Sequence, residues 1–117
     1  MNDVIGRYLA CWNETDPAVR RKLIDDLWTA DASYIDPLAE AHGRDAIDAA
    51  IGAVQAQFPG LVFTLAGPVD AHHRQARFTW GLGPKGTEPL AVGFDVAVTD
   101  EDDRIVTVLG FLDKIPG

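Results

Sequence analysis

Residues 89–112 read Pro-Leu-Ala-Val-Gly-Phe-Asp-Val-Ala-Val-Thr, then Asp-Glu-Asp-Asp at 100–103, then Arg-Ile-Val-Thr-Val-Leu-Gly-Phe-Leu. The four acidic residues are a turn, and the runs on either side have the period-two pattern of strands. In the first run Leu90, Val92, Phe94, Val96 and Val98 share one face, and Ala91, Gly93, Asp95, Ala97 and Thr99 share the other. The second sets Ile105, Thr107, Leu109 and Phe111 against Val106, Val108, Gly110 and Leu112. A strand pair wetted on one side alternates apolar with polar. Here nearly every position on both faces is apolar or small, so both faces are expected to be covered.

Outward from this pair the alternation extends back to Gly60. Strands are expected over Leu61 to Ala66, Val69 to Leu82, Pro89 to Thr99 and Arg104 to Leu112, broken at Gly67-Pro68, Gly83-Pro84-Lys85-Gly86 and Asp100–Asp103. Before Gly60 the period is helical. Val4, Ile5, Tyr8, Leu9 and Trp12 mark a helix near Asn2 to Asn13. Asp16 caps a second helix that opens on Pro17 and runs to about Thr29, with Val19, Leu23, Leu27 and Trp28 as its stripe. Ala32 to Asp36 is a short strand stopped by Pro37, and Ile47, Ile51, Val54 and Phe58 mark a third helix over Arg44 to Gln57. Helices followed by consecutive strands give an α+β fold: a curved, mostly antiparallel sheet packed against three N-terminal helices. Three helices can cover one face only. The other is expected to meet a second copy of the chain in an isologous homodimer.

The composition sets outer bounds. The chain has 117 residues, enough for the single domain expected over residues 1–117, and at 47% hydrophobic and 24% charged it is composed like a globular protein. With 18 acidic residues against 10 basic ones the net charge is −8, which argues against nucleic acid as a partner because phosphate binding needs clustered Lys and Arg. The one basic run, Arg20-Arg21-Lys22, is followed by Asp25 and Asp26 and reads as a solvated face with i,i+4 ion pairs. Apolar runs fall short of a membrane span and Met1-Asn2-Asp3 lacks a basic leader, so a soluble, cytoplasmic protein is expected. A lone cysteine, Cys11, excludes an internal disulfide.

Few residues carry chemistry. Asp95 is a carboxylate in an apolar strand with small neighbours on its own face, which leaves room for a pocket and predicts a raised pKa. A structural partner such as Arg77 is the alternative. Asp36 ends a strand before a proline, as a turn opener or as a base at a pocket mouth. Tyr8 lies in the apolar stripe of the first helix, where a buried hydroxyl needs a partner. His42, His72 and His73 lack metal-ligand spacing, and no nucleotide-binding or serine-hydrolase motif occurs, so neither a metal nor a cofactor is expected.

Together, Arg7-Tyr8-Leu9, Asp31-Ala32-Ser33-Tyr34-Ile35-Asp36-Pro37, Gly43-Arg44-Asp45-Ala46-Ile47, Phe94-Asp95-Val96 and Asp100 to Ile105 resemble the nuclear transport factor 2-like superfamily, which includes SnoaL-like polyketide cyclases and ketosteroid isomerases. The resemblance covers almost the whole chain. It implies a cone-shaped fold with an apolar cavity on the helical side and dimerisation through the outer sheet face. By analogy with ketosteroid isomerases it implies Asp36 as general base, with Tyr8 and a protonated Asp95 donating to the oxyanion of a small apolar carbonyl compound. Trp12, Trp28, Phe63, Phe78, Trp80 and Phe111 are the expected cavity walls. The loop after Pro37 is shorter than in those isomerases, and Leu112 stands where they tend to carry an aromatic residue. The alternatives are a SnoaL-like cyclase with Asp95 and a histidine as acid and base, or a non-catalytic protein that binds a hydrophobic ligand.

Overall fold

The computed structural model describes Met1 to Ile115. Its elements run α1 (Asn2–Asn13), α2 (Pro17–Leu27), β1 (Trp28–Ile35), β2 (Glu40–His42), α3 (Arg44–Gln57), β3 (Val62–Leu65), β4 (Asp70–His72), β5 (Gln75–Gly83), β6 (Ala91–Thr99) and β7 (Ile105–Lys114). The strands form one sheet in the order β2-β1-β7-β6-β5-β3, with β4 paired to β5. Every pairing is antiparallel except β1 with β7. This is the expected α+β architecture, an open curved sheet with three helices against one face.

Local chemistry explains the boundaries. Asp16 accepts from the backbone N–H groups of Ala18 (2.9 Å) and Val19 (3.2 Å) and so starts α2, with Pro17 at a position that has no N–H to lose. The helix ends at Leu27, earlier than the apolar spacing suggests, and Trp28 opens β1 with no intervening loop. Trp28 is fully buried in either assignment, so periodicity could not place the boundary. The strand expected over 69–82 is a hairpin. His73, at φ 53°, turns β4 back onto β5, pairing Ala71 with Ala76.

Ion pairs Arg21–Asp25 (2.8 Å) and Lys22–Asp26 (3.4 Å) form on α2 as expected, but Arg20 does not belong to that solvated face. It is buried and binds Asp48 and Gln55 of α3, each at 2.7 Å. Gln55 in turn donates to the carbonyls of Trp12 and Glu14 at the end of α1. One buried arginine thus ties the three helices together.

On β6, Ala91, Gly93, Asp95, Ala97 and Thr99 face the helices and are buried, while Val92, Phe94, Val96 and Val98 lie half-buried on the outer face. On β7 a bulge interrupts strict alternation: Thr99 pairs with Ile105 but Val98 with Thr107, so Val106 is the extra residue. Ile105 is therefore buried on the same side as Val108, although two-residue spacing groups it with Leu109 and Phe111.

Candidate active site

Four side chains form two tyrosine–aspartate pairs on the helical face of the sheet. Tyr8, from the middle of α1, donates to Asp95 Oδ2 on β6 at 2.7 Å. Tyr34, on β1, donates to Asp36 Oδ2 at 2.6 Å. The second pair is a property of the strand, since residues two apart project to the same side. That spacing was the available signal for Tyr34, which the sequence reading did not single out.

Asp36 is held firmly. The backbone N–H groups of Leu38 and Ala39 both donate to its Oδ1 at 2.8 Å, and its own N–H donates to the carbonyl of Ala39. With Tyr34 on Oδ2, three of roughly four lone-pair sites of the carboxylate are occupied. Asp95 is in a different state. It is 1% exposed, Oδ1 has no partner, and burial pushes its pKa up to about 6, with the nearby charge of Asp36 adding to the rise and hydrogen bonding from Tyr8 and Trp80 opposing it. Arg77, the alternative structural partner, binds Asp70 at 2.9 Å instead. Burial is also the leading reason that the pKa values of Tyr8 and Tyr34 are raised, the charge of Asp95 contributing to both, so both hydroxyls keep their protons at neutral pH.

Two glycines make room for this arrangement. Asp95 pairs in register with Gly110 on β7, where an added Cβ would stand 2.8 Å from Asp95 Oδ1 and 3.3 Å from Asp36 Cβ. The side chains of Asp95 and Asp36 thus flank a position that has no side chain of its own. A Cβ on Gly93 would fall inside the indole of Trp80, its cross-strand partner on β5.

Tyr8, Asp36 and Asp95 all line one cavity of about 90 Å³. Of the expected walls, Trp12, Phe63 and Trp80 also line it, joined by Tyr34. Trp28 and Phe78 do not. They are buried behind Tyr8, with ring centroids 5.8 and 5.7 Å from it, and support its ring as core residues. Phe111 is elsewhere: it is 58% exposed on the outer face, paired with Phe94, because Gly110 takes the inward position beside it. The indole N–H of Trp12 is buried without a partner. No lysine, arginine or histidine is among the lining residues. His42 binds Glu40, and His72 and His73 sit at the β4–β5 turn, away from the acids. No cluster able to hold a metal is found among the described residues. Burial raises the Cys11 pKa to about 11, which keeps it a thiol.

A conical helix-and-sheet fold with paired acids in an apolar cavity defines a class of small pocket proteins, and the comparisons make the assignment specific. The model of the SnoaL-like domain matches residues 5–108, and the chain belongs to that family. A SnoaL-like protein from Agrobacterium tumefaciens strain C58, whose suggested activity is that of an isomerase, is 40% identical over 95% of both chains with a TM-score of 0.90. A protein of ketosteroid isomerase-like fold from Catenulispora acidiphila, solved with trimethylamine, is 19% identical over 92% of this chain and 82% of its own, TM-score 0.72. A Sinorhizobium meliloti protein suggested to be a polyketide cyclase shares the fold at 15% identity over 92% and 93% of the two chains, TM-score 0.72. No curated protein matches.

Proposed function

We propose that the chain is a cofactor-independent enzyme that moves a proton within an apolar carbonyl compound, as an isomerase. Asp36 takes the proton from the carbon next to the carbonyl through its remaining lone pair and returns it at another carbon. Tyr8, whose hydroxyl turns its one proton from Asp95 Oδ2 to the ligand, and protonated Asp95 donate to the oxygen on which negative charge develops, in a cavity whose apolar walls strengthen both bonds. The observation that carries this reading is the lining of one cavity by Tyr8 and both carboxyl groups, with Asp95 Oδ1 unpaired. With its pKa pushed up to about 6 the Asp95 carboxyl is largely ionised at neutral pH in the empty cavity, and a ligand that displaces water raises it further and so supplies the neutral donor.

The test is turnover of a β,γ-unsaturated ketone by Asp36→Asn and Asp95→Asn. General-base catalysis contributes about 10²- to 10⁴-fold, so Asp36→Asn loses that much, whereas Asp95→Asn keeps a neutral donor and falls by about tenfold or less. The reverse order would make Asp95 the base. Equal, small losses would refute proton transfer by either acid. Ketone binding without turnover would identify a binding protein. The cyclase alternative draws no support from the histidines, none of which lines the cavity.

A second copy of the chain is the proposed partner for the outer face of β6 and β7. Phe111, Leu109 (41% exposed) and Val106 (37%) stand there with the half-buried Val92, Phe94, Val96 and Val98. Sedimentation at micromolar concentration should give twice the subunit mass, and a single subunit mass would refute the dimer.

A further inference from the structure

The cavity restricts its ligand in charge, in size and in shape. Its polar lining consists of Asp36, Asp95, the hydroxyls of Tyr8 and Tyr34, the Trp indoles and Gln57, with no cationic side chain. A ligand carboxylate or phosphate placed there would face two acids with no compensating charge, which a low-dielectric site penalises heavily. The volume of about 90 Å³ is smaller than the roughly 150 Å³ of a cavity that encloses one benzene ring, so a ligand with a ring-sized head extends through the mouth. At the mouth, however, the same cavity is bordered by apolar residues left in solvent. Leu38 is 77% exposed and Ile115 66%, next to the half-buried Leu9 and Phe58. The main chain of Leu38 is fixed at this mouth, because its N–H is bonded to Asp36 Oδ1 in the turn that holds the carboxylate.

We propose that the substrate is an uncharged ketone whose head is no larger than one carbonyl-bearing ring and whose alkyl tail leaves the cavity across Leu38 and Ile115. The tail covers the apolar lip while the head meets the two tyrosine–aspartate pairs. This substrate class rests on the carbonyl reading of the same site and adds to it a tail, a size limit and the exclusion of anions.

Binding to the whole chain, followed by tryptophan fluorescence or calorimetry, tests the proposal apart from turnover. The probes are cyclohex-2-enone, its 4-propyl and 4-hexyl derivatives, a cyclohexenone carboxylate, and a tetracyclic steroid enone. Each methylene that reaches the lip should tighten Kd about two- to fourfold. Leu38→Ser should flatten that dependence, and the carboxylate should bind at least tenfold more weakly than the parent ketone. An affinity independent of tail length, a tail dependence preserved in Leu38→Ser, equal binding of the carboxylate, or a steroid bound more tightly than the hexyl compound would each overturn it. If the series binds as expected but the matching β,γ-unsaturated ketones are not isomerised, the isomerase reading fails and this ligand class stands. If a steroid is turned over while the monocyclic series does not bind, this ligand class fails and the isomerase reading stands.

Discussion

Replacing Asp95 by asparagine should make the protein more stable at neutral pH, by an amount that depends on pH in a defined way. In the unfolded chain Asp95 titrates near 3.8, and in the folded protein burial lifts it to about 6. A folded pKa above the unfolded one means the native state holds the proton more tightly. The stability linked to that proton is fully present below about pH 4, falls as pH rises toward 6, and is gone above it. The shift is about two units, or roughly 3 kcal/mol at 1.36 kcal/mol per unit. Asparagine keeps an oxygen for the Tyr8 hydroxyl and carries no charge to bury. Urea unfolding of both proteins at intervals from pH 3.5 to 8, with wild type subtracted from variant at each pH, cancels the common effect of the other carboxylates. The difference should change by about 3 kcal/mol in favour of Asn, nearly all of it between pH 4 and 6.5. Parallel curves, or a change in favour of the aspartate, would show that hydrogen bonding from Tyr8 and Trp80 outweighs desolvation, and the account of Asp95 given above would be wrong.

Gly93→Ala drives a methyl group into the Trp80 indole, and we expect a loss of about 3 kcal/mol with a red shift of tryptophan emission, measured in the same unfolding experiment. Tyr34→Phe removes the donor on Asp36 Oδ2, so stability should fall by about 2 kcal/mol, and if the proposed ketone turnover is found its kcat should fall as well. An unchanged kcat would show that Tyr34 does not position the base. Phe111→Lys, on the outer face, should convert a dimer to monomers in sedimentation without altering ketone affinity in the cavity.

The candidate trio of Tyr8, Asp36 and Asp95 was legible because each member breaks a local pattern: an acid in an apolar strand, an acid before proline, a hydroxyl in an apolar stripe. Convergence on one cavity was not legible, because Tyr8 and Asp95 are 87 residues apart and their meeting depends on how the helices cross the sheet. Phe111 shows the opposite limit. Alternation alone places it opposite Gly110, and its assignment to the cavity rested on residue type, which does not distinguish a pocket wall from an outer face. The bulge at Val106 and the three-residue β2 left no periodic trace, since one inserted residue or a single alternation cannot be separated from a turn.

The one parallel pairing in the sheet, β1 with β7, joins the segment that carries Asp36 to the last strand of the fold. Such a contact closes a long loop and forms late, because its entropic cost precedes its reward. During synthesis the helices and Tyr34 emerge well before the strand that carries Gly110, so the cavity floor is missing until β7 docks. Asp36 and Asp95 come to line one cavity only when the final hairpin has closed onto the first strand.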